Sequence, residues 1–279
     1  MTANENKSRL LFVPSGGLGN RLRAIASAVC LAEQTGVELQ MVWFKDWGMG
    51  ARWCDIFKPM ERQSLREATL TDCLVYDRPR KRNLFVPRLF QSILFEQRID
   101  ERDVTPLKQK NFDFQTWAQG KKSYMSCYQD FGTVDNSLYA KLFLPTDELE
   151  QRIAGNMERL GDAPIGIHVR RTDNVAATQR SPLSLFFEAM DGIVKANPTQ
   201  HFYLATDDEP TKTAMKERYG EALLMSSSKA ERGTVEGIKD AVVEMFTLAR
   251  CRGIYGTADS SFSVIASRIG NCPLTILER

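Results

Sequence analysis

A regular alternation of strand and helix patterns in the second half of the chain is the feature that most constrains its fold. Short apolar runs alternate there with longer stretches in which apolar residues recur at helical spacing. The predicted helices are 147–160, 183–195, 210–219, 234–250 and 261–269, and the predicted strands are 164–169, 201–205, 222–225, 252–256 and 273–277. This order predicts a doubly wound parallel sheet with helices on both faces.

The start of the chain has the same kind of pattern. An apolar run at 9–14 predicts a buried strand, a glycine-rich turn follows it, and a helix is predicted over 20–34. A second strand is predicted at 37–43, so the order strand–loop–helix–strand begins another parallel α/β unit. We therefore expect an α/β protein with two Rossmann-like domains, 1–145 and 146–279.

The middle of the chain, residues 45–131, gives no clear periodicity. One strand is predicted near its end, at 123–128. A basic run, Arg78–Arg82, is typical of a solvated loop, and contact with an anionic substrate is the alternative.

Composition excludes several classes of protein. Lys plus Arg number 37 against 35 Asp plus Glu, and a net charge of +2 disfavours a nucleic-acid-binding protein. With two histidines and six scattered cysteines, a zinc site is not expected, and the thiols are expected to be reduced. The polar N-terminus lacks a signal-peptide pattern, and no run of about 20 apolar residues could span a bilayer. We therefore expect a cytoplasmic protein without a transmembrane segment.

Polar residues follow the first predicted strand, in the loop that contains Gly17, Gly19, Asn20 and Arg21. Glycines let backbone amides approach a phosphate, and the helix N-terminus that follows adds positive potential. The loop is not a dinucleotide fingerprint, because Leu22 stands at the position of the third glycine, and it lacks the Gly-Lys-Ser/Thr of a Walker A loop. The alternative is a tight turn in which Asn20 is simply the helix N-cap.

A second polar strand end contains His168, Arg170, Arg171 and Asp173. Guanidinium groups match phosphate oxygens in a bidentate way, and ligands of parallel sheets bind beyond the carboxyl ends of the strands. This pattern predicts a diphosphate at the sheet edge. The alternatives are ion-paired surface arginines on a turn and a core histidine.

Two further strand ends are polar. Thr206, Asp207 and Asp208 precede a predicted helix, and we expect one aspartate to cap that helix while the other faces the site. Ser260 and Ser261 open the helix after the predicted strand 252–256, where hydroxyls and backbone amides can bind phosphate together. The alternative there is N-capping by Asp259 or Ser260.

These segments resemble the GDP-fucose-dependent fucosyltransferases. The likeness is greatest to the α1,6-fucosyltransferases, including those that act on N-glycan cores and on bacterial nodulation factors, and protein O-fucosyltransferases are more distant. It covers about residues 10–36 and 160–270. The segments that carry it are Gly17–Arg21, His168–Asp173, Phe202–Asp208, Asp240 and Thr257–Ser261.

The resemblance implies a GT-B-like fold, in which two Rossmann-like domains face a cleft. The N-terminal domain would lie on the acceptor side and the C-terminal domain would hold the nucleotide sugar. It also implies inverting, metal-independent transfer of L-fucose from GDP-fucose to a hydroxyl of a glycan or polysaccharide, as in polysaccharide biosynthesis. No cofactor or metal is implied.

The resemblance also implies residue roles. Arg170 and Arg171 would be catalytic, with Arg170 on the diphosphate, and Asp240 would contact the guanine or its ribose. His168 would lie beside the nucleotide, and Ser260 and Ser261 would hold phosphate oxygens. The remaining residues expected to bind the nucleotide sugar are Asp173, Thr206, Asp207, Gly17, Gly19, Asn20 and Arg21.

Other functions stay open at this point. They are a GT-B transferase that uses another nucleotide sugar and a non-catalytic module that binds GDP or glycan; a dinucleotide oxidoreductase is disfavoured by the missing third glycine. The acceptor, the linkage, the oligomeric state and the catalytic base are open, with Asp46 and Asp173 as candidates for the base. A lipid-linked acceptor would bring the protein to a membrane surface without a spanning segment.

Overall fold

The computed structural model describes residues 8–172 and 175–279, which form two compact α/β units. The first unit ends at Leu138 and the second begins at Tyr139. Each unit contains one five-stranded sheet in which all strand pairs are parallel. The predicted α/β class with two doubly wound sheets is confirmed. None of the helices in these two ranges is both long and apolar enough to cross a bilayer.

The first unit contains strands β1 to β5 and helices α1 to α6. The strands are β1 (Arg9–Pro14), β2 (Glu38–Trp43), β3 (Ser64–Glu67), β4 (Gln97–Ile99) and β5 (Lys122–Cys127). The helices are α1 (Leu18–Thr35), α2 (Trp53–Ile56), α3 (Leu70–Val75), α4 (Val86–Leu94), α5 (Val104–Gln109) and α6 (Phe114–Ala118).

The order of the first sheet is β3-β2-β1-β5-β4, which places β1 at its centre. Five of the six β1 residues are buried, as expected for a parallel strand covered on both faces. The strand order reverses between β1 and β5, so the loop after β1 lies where ligands of such sheets bind.

Helix α1 begins earlier than the sequence predicts. Gly17 is its N-cap residue and Leu18 its first residue, so the interpretation of Asn20 as the N-cap is wrong. Asn20 lies in the first turn, where its Oδ1 accepts a hydrogen bond from Nη2 of Arg23 (2.8 Å). Gly36 ends the helix at φ 71°, a left-handed conformation that glycine adopts without strain.

The middle of the chain escaped prediction because its strands are short and lie at the sheet edges. β3 has four residues and β4 three, and both contain charged or polar side chains. Edge strands of this length show neither a continuous apolar run nor several cycles of alternation. The strand predicted at 123–128 is present as β5, which lies beside β1.

The second unit contains strands β6 to β10 and most of the remaining helices. The strands are β6 (Ile165–Val169), β7 (Phe202–Thr206), β8 (Leu223–Met225), β9 (Gly253–Thr257) and β10 (Leu274–Leu277). The helices are α7 (Ser137–Leu142), which spans the division between units, α8 (Asp147–Leu160), α9 (Val175–Arg180), α10 (Leu183–Ala196), α11 (Glu209–Tyr219), α12 (Val235–Ala249) and α13 (Ser261–Gly270).

The order of the second sheet is β10-β9-β6-β7-β8, with β6 at its centre. All residues of β6 and β7 are buried, and alternate side chains of the two strands form one core with α10 and α11. Every element predicted after residue 146 is present within one residue of its predicted bounds. The strand order reverses between β6 and β9, so the carboxyl end of β6 is the expected ligand-binding edge of this unit.

Candidate functional site

The carboxyl end of β6 is tied to both neighbouring strands. The backbone N–H of Arg170 donates to Oγ1 of Thr257 on β9 (3.0 Å), whose hydroxyl donates to the carbonyl of His168 (3.1 Å). On the other side, the backbone N–H of Arg171 donates to Oδ1 of Asp207, which follows β7 (2.9 Å). Arg170 and Arg171, hereafter the arginine pair, are thus held at the switch point of the second sheet.

Asp207 and Asp208 have separate roles, as the sequence predicts. Asp208 is the N-cap of α11, where its Oδ2 accepts from the backbone N–H of Thr211 (2.9 Å) and from the Thr211 hydroxyl (2.6 Å). Asp207 faces β6 instead: its Oδ2 accepts from the Thr172 hydroxyl (2.6 Å) and lies 3.7 Å from Nε of Arg170. One carboxylate therefore orders the loop that carries both arginines.

The guanidinium groups of the arginine pair are only partly buried. The Arg170 side chain keeps 22% of its surface exposed. Nη1 of Arg171 donates to the carbonyl of Thr178 in α9 (3.4 Å), and burial lowers the pKa of Arg171 below its ordinary value. Arginine still carries its charge at any physiological pH. The carboxyl end of β6 therefore presents two positive charges, Arg170 and Arg171. The carboxylate of Asp207, which follows β7, lies beside them.

His168 lies in the core beneath this edge. Its ring stacks on Phe262 of α13 with centroids 5.0 Å apart and an interplanar angle of 23°. Burial, helped by the charge of Arg170, lowers the pKa of His168 to about 4, so the ring is neutral at pH 7. Its Nδ1 atom is buried and has no hydrogen-bond partner within residues 8–172 and 175–279.

The N-terminus of α13 lies after β9, the strand beside β6. Ser260 occupies the N-cap position and is 8% exposed, but its side chain makes no capping hydrogen bond. Asp259 does not cap the helix either; its Oδ2 accepts from Nη1 of Arg180 (2.6 Å). The first-turn amides, which begin at Ser261, are thus left without a side-chain cap, which is the arrangement that binds anions at helix N-termini.

A cavity of about 420 Å³ lies between α8, α12 and the carboxyl end of β8. Glu244 of α12 lines it, and burial raises the pKa of this carboxyl to about 8, although Lys212 acts in the opposite direction. The negative charges of Asp240 and Asp207 add to the upward shift. Its other lining residues include Arg152, Asn156, Arg159, Tyr203, Ser226, Ser227, Ser228 and Val243.

Two predicted site residues have internal partners. Asp240 lines the cavity and forms an ion pair with Arg152 of α8. Thr206 is buried, and its Oγ1 accepts from the backbone N–H of Asp208 (3.3 Å). Asp173 lies outside the described residues.

The glycine loop of the first unit has one constrained position. Gly16 has φ 81°, and a Cβ there would lie 3.1 Å from Cβ of Asn20. Gly17 has an ordinary φ of −76°, and a Cβ there would meet no atom within 4 Å. Space is therefore open beside Gly17, whereas Gly19 is buried within α1.

Arg21 is a buried anchor of this loop. Its guanidinium donates to the carbonyls of Gly16 (2.9 Å) and Phe44 (2.6 Å) and to Oδ2 of Asp46 (3.2 Å), and it lies over the Trp43 ring. The residue is completely buried, and burial lowers its pKa to about 10. Arg21 therefore joins the loop after β1 to the end of β2 and presents no surface of its own.

Asp46, a candidate base, is enclosed by cations. Burial alone would raise its pKa, but Arg21 and Arg78 outweigh burial and hold the pKa below its ordinary value. Nη2 of Arg78 lies 3.1 Å from its Oδ2, and Nη1 of Arg80 lies 3.6 Å away. A carboxylate that is 2% exposed and stabilised as an anion is poorly suited to accept a proton from an acceptor hydroxyl. The same contacts show that part of the basic run lies inside the first unit.

No group of three or more His, Cys, Asp or Glu side chains in residues 8–172 and 175–279 is arranged to hold a metal ion. Thr257 belongs to the segment Thr257–Ser261 noted in the sequence, but no role was predicted for it, and Glu244 in the cavity was not predicted at all. Glu244 lies four residues after Asp240 on the same helical face, between the buried residues Val243 and Met245. The sequence did contain a signal for Glu244, because an acidic residue within an otherwise apolar helical segment is unusual.

Comparison with known proteins gives matches only among solved structures. No protein-family model and no curated protein matches the chain. The NodZ α1,6-fucosyltransferase soaked with GDP-fucose aligns with TM-score 0.62 and 18% identity, over 94% of this chain and 92% of that chain. A mutant of Arabidopsis thaliana FUT1 in complex with GDP aligns with TM-score 0.62 and 15% identity, over 98% of this chain and 70% of that chain. POFUT1 in complex with GDP aligns with TM-score 0.59 and 10% identity, over 99% of each chain.

The chain has a fucosyltransferase-like fold. The predicted GT-B-like class is thereby confirmed for an alignment that spans nearly the whole chain, including the middle region that gave no sequence signal. At identities of 10 to 18% the likeness concerns the fold, and the chemistry must be argued from the residues of this chain.

Proposed function

We propose that the protein transfers L-fucose from GDP-fucose to a hydroxyl of a glycan or polysaccharide, with inversion and without a metal. The observation that carries this proposal is the arginine pair, held by Thr257 and Asp207 at the switch point of the second sheet. The likeness in fold to a NodZ structure soaked with GDP-fucose supports the choice of donor.

The arginine pair suits the bond that must break. In fucosyl transfer the acceptor oxygen attacks the anomeric carbon, and the acceptor hydroxyl gives its proton to a carboxylate or to solvent. The bond from that carbon to the β-phosphate oxygen breaks, and the electron pair stays on GDP. The leaving diphosphate gains negative charge as this happens. Arg170 and Arg171 are charged before the reaction and are fixed by backbone hydrogen bonds, so they stabilise that charge with little reorganisation.

The N-terminus of α13 gives a second contact for the diphosphate. The Ser260 hydroxyl does not cap the helix, so the backbone N–H groups of the first turn, from Ser261 onward, need other acceptors. Phosphate oxygens are good acceptors for such amides. We assign Ser260 and Ser261 to the phosphates, and His168, neutral and stacked on Phe262, to the packing beneath them.

The cavity beside α12 is suited to the guanine base. Guanine presents two neighbouring N–H donors on one edge, and a single carboxylate can accept both. Glu244 offers such a carboxylate, and the negative charge of Asp207, which also accepts from the Arg171 backbone, contributes to its raised pKa. We therefore assign the cavity and the arginine pair to one site. Asp240 lines the same cavity and is assigned to the ribose or the base.

We assign the acceptor to the first unit. Its glycine loop follows β1 at the switch point of the first sheet, with open space beside Gly17. Arg21 has three internal acceptors and is therefore a positioning residue for this loop rather than a ligand contact.

The proposal is tested by titrating the protein with GDP, GDP-fucose, GDP-mannose, UDP-glucose and NAD, and by following GDP release from GDP-fucose with and without EDTA. We expect the guanine nucleotides to bind, and GDP-fucose to be hydrolysed slowly in the presence of EDTA. Preference for NAD or UDP-glucose would refute the choice of donor, strict dependence on added Mn²⁺ would refute the metal-free mechanism, and GDP-fucose binding without turnover on a broad acceptor panel would indicate a binding module.

A further inference from the structure

The surface formed by α3, α4 and the segment between them is unusually apolar. Of the ten large apolar side chains that are exposed in the described part of the chain, eight lie between Leu70 and Leu94. Leu70, Leu89 and Ile93 are 90%, 63% and 75% exposed. Contiguous exposed apolar side chains of this kind mark interaction surfaces. This α3–α4 surface consists of Leu70, Leu74, Leu84, Phe85, Leu89, Phe90, Ile93 and Leu94.

Helix α4 is oriented with its apolar residues outward. The residues it buries are Pro87 and Gln91, and Nε2 of Gln91 donates to the carbonyl of Asp77 (2.9 Å). Leu89 and Ile93, four residues apart, share the opposite face. A helix that served only the core of its unit would show the reverse arrangement.

The segment before α4 presents two more apolar side chains. Leu84 and Phe85 have φ of 52° and 58°, the left-handed region that is costly for such residues. Asn83 holds them there: its Oδ1 accepts from the backbone N–H groups of Arg80 (3.0 Å) and Phe85 (3.2 Å), and its Nδ2 donates to the carbonyl of Arg78 (2.7 Å). The exposure of Leu84 and Phe85 is thus fixed by a hydrogen-bonded turn.

All exposed charges between residues 70 and 94 are positive. Lys81, Arg82 and Arg88 are exposed. The acids of this segment are buried: Asp72 accepts two hydrogen bonds from Arg66, and Asp77 forms an ion pair with Arg80. The surface therefore combines outward apolar side chains with exposed cations.

We infer that the α3–α4 surface binds the face of an anionic lipid bilayer. Amphipathic elements that lie in the membrane interface bury large apolar side chains at the headgroup boundary and keep Lys and Arg against anionic headgroups. A second copy of the chain fits less well, because the same three cations would be brought together from both sides. The inference concerns the first unit alone and does not depend on the nucleotide site.

The test is co-sedimentation of the full chain with vesicles of phosphatidylcholine, with and without phosphatidylglycerol. Two variants probe the two components: L89S/I93S removes outward apolar groups, and K81Q/R82Q/R88Q removes the charges. We expect binding to the anionic vesicles, weakened about tenfold or more by either variant and by raised salt. Matched controls are L144S and K195Q/R252Q, which change exposed residues of the second unit.

Folding of each variant is checked by circular dichroism, and none should lose stability, since every substituted side chain is exposed. The inference is overturned if the wild-type chain does not bind anionic vesicles, or if both variants bind as it does. It is also overturned if L89S/I93S abolishes a dimer detected by light scattering while vesicle binding is unchanged, because the surface would then be an interface between two copies.

Discussion

Oδ1 of Asp207 accepts a hydrogen bond of 2.9 Å from the backbone N–H of Arg171. Through this bond the carboxyl end of β7 sets the position of the Arg171 backbone just beyond β6. The same carboxylate lies 3.7 Å from Nε of Arg170, so a single side chain orders both arginines. Asp208, the next residue in the sequence, caps a helix instead, so variants of the two aspartates separate these two roles.

We expect D207N to lower the rate of fucosyl transfer about 10- to 100-fold, since a hydrogen bond to a charged group contributes about 1.5–3 kcal/mol. The melting temperature should fall only modestly, because the asparagine amide oxygen can still accept from the backbone N–H of Arg171. D208A is the matched control. It removes an N-cap and should lower stability by about 1 kcal/mol, with nearly unchanged affinity for GDP. Loss of transfer in D208A, together with loss of stability alone in D207N, would contradict the assigned roles.

R171A should abolish measurable transfer, with a loss on the order of 10²–10³ in rate, by analogy with the removal of one donor from an oxyanion-type site. The fold should remain intact by circular dichroism, since the Arg171 side chain is only partly buried. R171K tests geometry: it keeps the charge but not the planar fork, so it should recover only part of the rate. R252A, at an exposed arginine of the second unit, is the control for charge. Full activity of R171A would exclude Arg171 from the reaction.

The raised pKa of Glu244 gives a pH-dependent prediction. With a pKa of about 8 the free carboxyl is protonated at pH 6, whereas the proposed contact with guanine requires the carboxylate. Binding must then release a proton, so the affinity for guanosine should rise from pH 6 to about pH 8 and level off above it. Guanosine is the right probe because it has no phosphate that titrates in this range.

E244Q should bind guanosine more weakly than the wild type and should lose this pH dependence, because the amide cannot ionise. Calorimetric titrations at several pH values measure both effects. D240N is the companion variant, because Asp240 lines the same cavity and is paired with Arg152. If D240N but not E244Q removes the pH dependence, the base contact belongs to Asp240.

Much of the second unit was predictable because its central strands are buried on both faces. β6 and β7 are continuous apolar runs, and the helices between strands keep helical periodicity, so element bounds agree closely with expectation. The edge strands β3 and β4 have no such signal, since three or four partly polar residues define no period. Their existence depends on pairing with β2 and β5, which a local pattern does not reveal.

The candidate site was also predictable only in part. Asp207 and the arginine pair follow strands whose order places them side by side, which the rule for parallel sheets anticipates. The burial of Arg21 was not foreseeable, because its acceptors at Phe44 and Asp46 are distant in sequence. Glu244 was missed for a related reason: its environment is set by three elements that meet only in the folded chain.

Gly16 and Gly17, in the loop after β1, allow a matched comparison of the effect of alanine on the free energy of unfolding. G16A places a Cβ at φ 81° and 3.1 Å from Asn20, so it should destabilise the first unit by about 1–2 kcal/mol. G17A introduces a Cβ at an ordinary φ and in open space, and should destabilise by only about 0.5 kcal/mol, because alanine is a poorer N-cap residue than glycine. Urea unfolding measures both. Equal effects of the two substitutions would show that the conformation of Gly16 does not constrain the loop.

The central claim is that the arginine pair holds the diphosphate of the donor. It is tested most directly by comparing the affinities of GDP and guanosine for the wild type and for R170A. Loss of one charge-assisted contact of about 1.5–3 kcal/mol should weaken GDP binding about 10- to 100-fold and leave guanosine binding unchanged. Unchanged affinity of R170A for GDP would contradict the account.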